Sequence, residues 1–402
     1  GLEIHTQLNT KYKLFSLSES AFSAPANTNV SFFDAGLPGT QPALNPEALK
    51  LALRAAAALQ STIQTKSLFD RKHYFYQDQP LGYQITQKYA PLALDGKLVL
   101  RAPLDEINEP FKIIRIQQIQ IEQDTGRSHY SSDGKVDIDL NRANTPLIEM
   151  VTHPDFDDIL QVKAFVKKYQ LLVKHIGVCT GELETGAIRV DVNVSVNGNS
   201  RVEIKNMRST TDILNAIEFE YFRQVDLIEN GLGVPQETRG WTGTKTVLLR
   251  SKEDAVDYRY LPDSELPIVY LDSQICEQVK ESLPELPDAI AEKLISAPYN
   301  LPLKLARFLL DNKDQLDYYL RLAGFISEKN LPLVLTSNWL FNDIPRAFKK
   351  LNLPIDLDIV DPEVLLELIY ATHTKIITGA ASKQALVELL KNPSQDIQQL
   401  IK

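Results

Sequence analysis

Polar side chains of the kinds that bind divalent cations alternate with apolar residues in several predicted strands. In one segment the polar residues are Arg189, Asp191, Asn193 and Ser195, each followed by a valine. Because successive side chains of a strand point to opposite faces, these four residues share one face. The same alternation collects further polar residues: Glu3 and His5; Gln118, Gln120, Glu122 and Asp124; Asp137 and Asp139; and Glu203 and Lys205. If these strands are neighbours in one antiparallel sheet, that face is rich in carboxylates and suits Mg²⁺ with the phosphates it carries.

An alternative interpretation is a sheet whose polar face simply meets water, since such a sheet also shows alternation. The composition of the face argues for the metal interpretation, because it contains Asp, Asn, Gln, Glu and His with few cations. Crowded carboxylates repel one another unless positive charge lies among them. Periodicity alone leaves both interpretations open.

Length and composition restrict the class of protein. With 402 residues, the chain exceeds what one hydrophobic core usually supports, so we expect at least two domains. Hydrophobic residues make up 44% and charged residues 24%, as in a globular protein, and no apolar run approaches the roughly 20 residues of a membrane span. The net charge of −9 argues against nonspecific coating of nucleic acid, although a local basic patch could hold one acidic partner. The two cysteines, Cys179 and Cys276, exclude a disulfide framework and a four-cysteine zinc site, and fit a reducing compartment.

The order of elements predicts an α+β fold. Strand signals alternate with long helices at 46–60, which Asn45 can cap, at 157–175 and at 211–230, and we expect these helices to pack on the apolar side of the sheet. Beyond a proline-rich boundary near residues 283–290, helical spacing replaces the strands. We therefore predict a first domain, 1–290, with an antiparallel sheet and packed helices, and an all-α second domain, 291–402.

Cations and aromatic residues are interleaved in the segment 69–87. The residues concerned are Arg71, Lys72, His73, Tyr74, Tyr76 and Tyr83. This mixture suits a nucleotide or the end of an RNA, with phosphates neutralised and bases stacked. A basic loop packed by its own aromatic rings is the alternative. In the segment 250–263, Arg250 and its neighbours could clamp a phosphate, or they form ordinary surface ion pairs.

The motifs of the chain, taken in order, resemble those of the GatB family, the B subunit of the glutamyl-tRNA(Gln)/aspartyl-tRNA(Asn) amidotransferase. The motifs that carry the resemblance are GLEIHTQL, KLFS, GLPGTQPALN, FDRKHYFYQDQPLGYQITQ, DLNRANTPLIEMVTHPD, GELETGAIRVDVNVSV, EIKN, QETRGW and RSKEDAVDYRYLPD. The resemblance runs from residue 1 to about 287 and continues more weakly in TSNWLF and KIITGAASKQALVELL.

This resemblance implies an activity, cofactors and partners. The family converts glutamate on misacylated tRNA(Gln) into glutamine with ATP and Mg²⁺, through ATP-dependent activation of the γ-carboxylate. Ammonia comes from an amidase A subunit, and a small bridging subunit of the C type or the fungal F type completes the complex. The implied fold is a catalytic cradle domain, 1–290, that holds ATP, Mg²⁺ and the aminoacyl end of the tRNA. A helical domain, 291–402, contacts tRNA, and we expect the small tail domain of the family to be absent from this chain.

The resemblance also implies roles for individual residues. The implied metal ligands are His5, Glu122, Glu149 and Glu184. The implied catalytic residues are His5, Glu122, Glu149, Glu3 and Asp191. The implied ATP-binding residues are Arg189, Glu203, Lys205 and Arg250. The implied contacts to the tRNA end are Arg71, Lys72, His73, Tyr74, Tyr76 and Tyr83.

Two departures from the family pattern affect these expectations. Gln120 and Gln123 replace the His and second Glu of the usual H-x-E-E-D motif. A noncatalytic tRNA-binding scaffold that has lost its kinase site is therefore an alternative, and a standalone ATP-dependent amide ligase is a weaker one. The cysteine pairs of some members are missing, so we expect no structural zinc.

We expect a location in the mitochondrial matrix. The acidic motif is divergent, and the chain begins at Gly1 within a predicted strand without Met, which indicates a processed or partial form with any targeting segment out of view. A bacterial cytoplasmic member is the alternative.

Overall fold

The structure is a computed structural model that describes residues 1–21, 23–251, 257–393 and 395–401. The chain divides into two compact units, Gly1–Leu286 and Pro287–Lys402. The sequence-based boundary at residue 290 falls inside the first helix of the second unit, Pro287–Ile295. Part of the segment 250–263, residues 252–256, lies outside the described residues.

All the strands found among the described residues, and four of the helices, belong to the first unit. Its strands are β1 (Leu2–Gln7), β2 (Thr62–Ile63), β3 (Lys66–Ser67), β4 (Asp70–His73), β5 (Tyr83–Thr86), β6 (Ala93–Arg101), β7 (Phe111–Gln123), β8 (Arg127–Tyr130), β9 (Val136–Asp139), β10 (Pro146–Thr152), β11 (Ile188–Val194), β12 (Val202–Lys205), β13 (Glu237–Trp241), β14 (Thr246–Ser251), β15 (Leu261–Pro262) and β16 (Val269–Tyr270). Its helices are α1 (Pro46–Ala58), α2 (Ile159–His175), α3 (Thr210–Glu229) and α4 (Ser273–Glu281).

Within the described residues, nine strands form one large sheet in the order β14-β13-β12-β11-β1-β10-β7-β6-β2. Neighbours in this sheet are antiparallel except for the parallel pair β12 and β13, which α3 connects. Smaller sheets are formed by β15-β4-β5, β16-β3 and β8-β9. The predicted α+β class with a mainly antiparallel sheet is confirmed.

One face of the large sheet is apolar and lies under helices α1, α2 and α3. Residues such as Ile4, Ile121 and Val190 share a continuous buried core with Phe165 of α2 and Ala216 of α3. Burying this face supplies most of the driving force for folding of the unit, because apolar area removed from water stabilises by about 25 cal/mol per Å².

The helix starts follow the predicted capping. The Asn45 side chain accepts a hydrogen bond from the Glu47 amide, and Pro46 occupies the first helical position of α1. Asp158 and Ser209 cap α2 and α3 in the same way. A side-chain acceptor at this position satisfies an amide that has no partner inside the helix, typically stabilising it by about 1 kcal/mol.

The second unit is helical throughout its described residues. Its helices are α5 (Pro287–Ile295), α6 (Leu303–Asp311), α7 (Lys313–Glu328), α8 (Val334–Asn338), which continues through a π-helical turn (Trp339–Asp343) into α9 (Ile344–Lys350), then a 3₁₀ turn (Leu357–Ile359), α10 (Pro362–His373), α11 (Gly379–Lys391) and α12 (Ile397–Ile401). The buried positions include Leu309, Leu316, Tyr319, Leu365 and Leu368, with the predicted helical spacing. Among the described helices of both units, none has the length and apolar character needed to cross a membrane.

Candidate active site

The polar face of the large sheet brings together side chains from strands that are distant in sequence. His5 of β1 lies opposite Glu149 of β10 on one side and opposite Arg189 of β11 on the other. Glu3 lies opposite Asp191. These pairings place the predicted polar residues of β1, β10 and β11 on one continuous surface, which we call the polar floor.

One predicted strand does not belong to the polar floor. Asp137 and Asp139 lie on β9, which pairs only with β8 in a separate hairpin among the described strands. The expectation that they join the floor is wrong. Alternation in a surface hairpin looks the same in sequence as alternation in the central sheet, because both have one face in contact with polar surroundings.

The centre of the polar floor is a cluster of His5, Glu122 and Glu149. The His5 Nε2 atom lies 2.9 Å from Glu122 Oε1 and 3.9 Å from Glu149 Oε1. One nitrogen and two carboxylate oxygens lie within 4.8 Å of one another. Among the described residues, no other group of three His, Cys, Asp or Glu side chains is close enough to hold a metal ion.

The electrostatics of this cluster favour a bound cation. Burial opposes a charge on His5, but Glu149 and the hydrogen bond with Glu122 outweigh it and raise the pKa of His5 to about 9. Burial likewise opposes a charge on Glu122, yet the contact with His5 lowers the pKa of Glu122 to about 2. Burial and then the charge of Glu122 raise the pKa of Glu149 to about 7. Two buried acids therefore compete for one imidazolium, and a further positive charge would relieve their repulsion.

Each acid of the cluster also accepts a hydrogen bond from a neutral side chain. Thr86 Oγ1 of β5 lies 3.0 Å from Glu122 Oε2. Gln120 Nε2 donates to Glu149 Oε2 at 2.6 Å and lies 3.4 Å from Thr86 Oγ1. Gln120 therefore faces the cluster from the position where the family pattern has a histidine.

Lys72, half-buried on β4, is under the electrostatic influence of this cluster. Its ammonium lies 4.7 Å from the centre of the Tyr258 ring. Burial alone would lower the pKa of Lys72, but the charge of Glu122, with smaller contributions from Tyr260 and Glu149, raises it. Alternation along β4 explains the orientation, since Lys72 faces away from Arg71 and His73.

Two cationic side chains, each paired with a carboxylate, occupy the part of the polar floor formed by β11 and β12. Lys205 Nζ lies 2.6 Å from Asp191 Oδ2 and 3.0 Å from Glu203 Oε1. Its pKa is raised well above the ordinary value of a lysine, because these acids outweigh the effect of burial. Arg189 binds Asp124 at 2.8 Å. These contacts hold two permanent positive charges in place at the floor.

Glu3 and Glu203 are held by neutral donors. The Glu3 carboxylate accepts a hydrogen bond from Asn193 at 2.9 Å. The Glu203 carboxylate accepts one from Thr238 at 2.9 Å. Neither acid belongs to the His5 cluster.

A large cavity of about 1480 Å³ lies over the polar floor. Its lining includes His5, Glu122, Asp124, Arg189, Asp191 and Lys205. Glu184 also lines this cavity, but it lies in an exposed turn, 181–186, that precedes β11 and is not part of the sheet. The structure does not bring Glu184 to the His5 cluster, and its predicted role as a metal ligand stays a prediction.

Arg250 is separated from the large cavity. It lines a smaller cavity of about 130 Å³ with Arg201, Glu203 and Thr238. Its guanidinium also donates to the Tyr258 hydroxyl at 3.2 Å. The structure thus places Arg250 behind Glu203 and not among the groups that line the large cavity.

The six residues predicted to contact the tRNA end fall into different environments. Arg71 binds Asp263 at 2.7 Å and Glu265 at 3.1 Å, and it covers the Tyr83 ring at 4.3 Å. The His73 imidazole contacts the Arg259 carbonyl at 2.8 Å. These three predicted residues, Arg71, His73 and Tyr83, hold β4 and β5 to the segment around β15, which is a structural role.

The remaining aromatic residues lie closer to the cavity. Tyr74 packs edge-on against Tyr258, with ring centres 6.2 Å apart. The Tyr76 hydroxyl lies 3.4 Å from that of Tyr130, which lines the large cavity. Phe75, Tyr76 and Tyr130 are 90%, 54% and 65% exposed. Tyr76 and Tyr130 form an exposed pair of rings at the edge of the cavity, and together with Phe75, the exposed neighbour of Tyr76 in sequence, we call them the aromatic rim.

Two residues of the site were missed by the sequence analysis. Thr86 contacts Glu122, and Tyr130 lies on the aromatic rim. Alternation in the motif YQIT, which places Gln84 and Thr86 on one face of β5, was a signal for Thr86. No sequence signal pointed to Tyr130, because its position depends on how the β8–β9 hairpin folds beside Tyr76.

Comparison with known proteins decides the family. The profile of a family described as the GatB/GatE catalytic domain matches residues 1–277, and one described as the GatB domain matches residues 326–402. The chain belongs to the GatB family. The resemblance found in the motifs is therefore confirmed, and it covers both units.

Yeast proteins of the GatB family are similar to this chain over its whole length. A protein of Scheffersomyces stipitis is 56% identical over 405 residues, which cover all of this chain and 80% of that protein. One of Debaryomyces hansenii is 54% identical, covering all of this chain and 79% of its own length, and one of Candida tropicalis is 57% identical, covering 98% and 79%. All three are named as the mitochondrial B subunit of glutamyl-tRNA(Gln) amidotransferase.

Proposed function

We propose that this chain is the subunit of a mitochondrial glutamyl-tRNA(Gln) amidotransferase that activates and amidates glutamate on misacylated tRNA(Gln). Membership in the GatB family gives the class, a carbon–nitrogen ligase that uses glutamine as amido donor. The predicted mitochondrial location is confirmed by relatives that are all named mitochondrial. The observation that carries the catalytic assignment is the cluster of His5, Glu122 and Glu149, of which His5 and Glu122 line the large cavity.

The reaction that this proposal assigns to the chain has two steps. A γ-carboxylate oxygen of the glutamyl group attacks the γ-phosphorus of ATP, and ADP leaves as the new phosphorus–oxygen bond forms. Ammonia then attacks the carbonyl carbon of the acyl phosphate, and inorganic phosphate leaves with the oxygen of the broken carbon–oxygen bond. The amine loses a proton, and the product is the amide.

The donor set of the cluster fits a divalent cation. Two carboxylates and one imidazole converge, and oxygen-rich sites of this kind bind Mg²⁺ or Mn²⁺. When bound, Mg²⁺ would offset the negative charge that develops as the glutamyl carboxylate and ATP approach each other. We assign His5, Glu122 and Glu149 to hold it.

Other residues of the polar floor would bind and orient the anionic substrates. Arg189 and Lys205 keep their positive charges because Asp124 and Asp191 accompany them, and both face the cavity. They are suited to phosphate oxygens of ATP. We assign Glu3, Asp191 and Glu203 to support this region, since Asp191 and Glu203 hold the Lys205 ammonium.

The chain must obtain ammonia from a partner. Cys179 is 3% exposed, and burial raises the pKa of its thiol, so it is unsuited to act as a nucleophile. Cys276 and Cys179 are the only cysteines of the chain, and neither occurs in a glutaminase motif. We therefore propose an amidase A subunit as the ammonia source, with a bridging subunit of the C type or the fungal F type.

We propose that the aromatic rim receives the end of the tRNA. Tyr76 was predicted for this role, Tyr130 lies beside it and lines the cavity, and Phe75 is its exposed neighbour in sequence. Exposed rings of this kind stack on unpaired bases. Tyr74 and Lys72 both pack against the Tyr258 ring, and we assign Lys72 to attract the glutamyl carboxylate.

The scaffold alternative is not supported. The relatives carry the name of the enzyme subunit, and the acids of the cluster are retained around His5. The substituted Gln123 has its own role, since its side-chain oxygen accepts a hydrogen bond from the Ile85 amide at 2.8 Å. Its replacement of a glutamate therefore does not indicate a lost site.

The decisive experiment measures release of γ-phosphate from ATP by the assembled complex with Glu-tRNA(Gln) and Mg²⁺. We expect Glu122→Gln to reduce this release at least about 100-fold, as loss of a metal ligand would, while glutamine hydrolysis by the partner continues. Glu229→Gln, at the exposed end of α3, is the matched control and should behave like the parent chain. Full phosphate release by Glu122→Gln would contradict the assignment.

A further inference from the structure

We propose that Gln120 and Thr86 are positioning residues that orient Glu149 and Glu122 for a divalent cation, and we call this pair the brace. This inference rests on the proposed function of the His5 cluster and concerns residues that the sequence analysis did not assign to it. Gln120 and Thr86 are buried, with 7% and 2% of their surfaces exposed. Their side chains donate hydrogen bonds to the two acids of the cluster.

The geometry divides the four carboxylate oxygens into two pairs. Oε1 of each acid faces His5 Nε2, at 2.9 Å for Glu122 and 3.9 Å for Glu149. Oε2 of each acid accepts a hydrogen bond from the brace, at 3.0 Å from Thr86 and 2.6 Å from Gln120. Each donor thus holds one oxygen and leaves the other directed at the place where the cluster converges.

A brace is needed because the two acids would otherwise separate. Glu122 is buried and Glu149 half-buried, and their carboxylates are close, so they repel each other whenever both are charged. Rotation about the terminal torsion of a glutamate is soft, so repulsion alone would turn the carboxylates apart. Neutral donors oppose this rotation without removing the negative charge that a cation requires. Groups that orient metal ligands in this way typically change metal affinity about 10- to 100-fold when they are mutated.

Gln120 and Thr86 are themselves fixed by the strands that carry them. Gln120 lies opposite Glu149 in the pairing of β7 with β10. Its side-chain oxygen accepts a hydrogen bond from Gln118. Thr86 lies on β5, outside the large sheet, but side chains join β5 and its neighbour Gln87 to β7. Gln87 accepts a hydrogen bond from the Ile121 amide at 3.0 Å, and the Ile85 amide donates to Gln123 at 2.8 Å.

The brace can be tested by the binding of Mn²⁺ to the assembled complex, followed by electron paramagnetic resonance. We expect Gln120→Met, which keeps the length of the side chain without its donor, to raise the Kd for Mn²⁺ about 10- to 100-fold. Thr86→Val should have a similar effect, whereas Thr86→Ser, which keeps the hydroxyl, should stay close to the parent. Gln161→Met is the matched control, because Gln161 is a buried glutamine of α2 that contacts Asp157 and Glu109 but neither acid of the cluster. It should lower the melting temperature without changing the Kd for Mn²⁺.

The outcomes separate the brace from the metal site itself. Binding that needs Glu122 but is unchanged by Gln120→Met and Thr86→Val would overturn the brace and leave the metal site intact. An equal loss in Thr86→Ser and Thr86→Val would also overturn it, because packing and not the hydroxyl would then matter. Failure of the parent complex to bind Mn²⁺ would overturn both the metal site and the brace.

Discussion

His5 and Glu149 are direct partners in the antiparallel register of β1 and β10. Their side chains leave the sheet on the same face, so the separation of the two groups is set by the backbone of the most central strands. Glu122, on the next strand, then completes the cluster from β7. Rigid strands position catalytic groups more accurately than loops do. The site therefore depends on the register of three strands and on few other features.

Binding of Mn²⁺ should become tighter as the pH rises from 7 to 9. The pKa of His5 is raised to about 9, so below that pH the imidazolium must release a proton before Nε2 can bind a metal. One displaced proton corresponds to about tenfold in affinity per pH unit. Below pH 7 the slope should steepen, because Glu149, with its pKa of about 7, takes up a second proton.

Titration of the complex with Mn²⁺ at several pH values checks this expectation. His5→Gln should reduce the slope between pH 7 and 9, since the group that exchanges the proton is then missing. An affinity that is independent of pH over this range would contradict the role of His5 as a ligand.

Removal of rings from the aromatic rim should weaken the use of the charged tRNA. Stacking of a base on an aromatic side chain contributes about 1–3 kcal/mol, so Tyr76→Ala or Tyr130→Ala should raise the KM for Glu-tRNA(Gln) about 5- to 150-fold. ATP hydrolysis at saturating tRNA should change little. Steady-state kinetics with varied tRNA measure both quantities.

Two variants make this test specific. Tyr130→Phe keeps the ring and should retain most of the affinity for tRNA. Phe111→Ala removes an equally exposed ring, 62% exposed, from the start of β7 and should have no effect. An equal effect of Phe111→Ala would argue against the aromatic rim.

The buried ion pair of Lys13 and Asp34 should be important for the stability of the first unit. Both side chains are fully buried, with Lys13 Nζ 3.2 Å from Asp34 Oδ2. Lys13→Met leaves Asp34 as an uncompensated buried charge, and we expect a loss of about 3–5 kcal/mol in the free energy of unfolding. Urea denaturation measures this loss. Lys11→Met, at an exposed position nearby, should change the stability by less than about 0.5 kcal/mol.

The contribution of Asp34 should disappear in acid. Burial would raise the pKa of Asp34, but Lys13 and the hydrogen bonds from Asn144 and Ser31 outweigh burial and lower it. A carboxyl group with a lowered folded-state pKa stabilises the protein above its unfolded pKa, about 3.9, and this stabilisation is lost as the pH falls through the folded-state pKa. The difference in stability between the parent and Asp34→Asn should therefore be full at neutral pH and shrink below about pH 4. A difference that stays constant down to about pH 2 would contradict this account.

A fragment that ends at Leu286 should fold and still bind Mn²⁺. The first unit has its own continuous core, and every residue of the His5 cluster belongs to it. We propose that the helical unit contributes tRNA contacts, so this fragment should lose affinity for tRNA. Circular dichroism, thermal unfolding and Mn²⁺ binding check the fold and the site. A fragment that aggregates, or that binds tRNA as well as the parent, would contradict the proposed division.

The faces of the strands and the starts of the helices were predictable because they depend on neighbours in sequence. Alternation placed His5 and Asp191 on the polar side of the sheet. Asn45 was correctly predicted as the cap that precedes the first residue of α1. The family motifs identified Glu149, which lies on the same face. These features follow from the period of a strand and from the capping of a helix, both of which are local.

The arrangement between strands was not predictable, because register and hairpin position depend on tertiary contacts. Asp139 alternates as Asp191 does, yet only Asp191 lies in the large sheet. Lys72 and Arg71 are adjacent in one basic segment, but Lys72 faces the acids while Arg71 binds Asp263. Alternation within β4 separates them, whereas composition alone grouped them together. The start of the helical unit was predicted at residue 291, a few residues after Pro287, because the prolines in this region hide where α5 begins in the sequence.

In β1 and β11, odd-numbered and even-numbered residues lie on opposite faces of the sheet and so have different roles. Odd-numbered residues such as His5 and Arg189 face the cavity, while even-numbered residues such as Ile4 and Val190 lie in the core. A substitution at an odd position therefore alters chemistry and leaves the core intact. Loss of a single codon within β1 is a different kind of change, because the residues beyond the deletion exchange faces and carry charge into the core. A one-residue deletion in β1 therefore disturbs the core and the polar floor together.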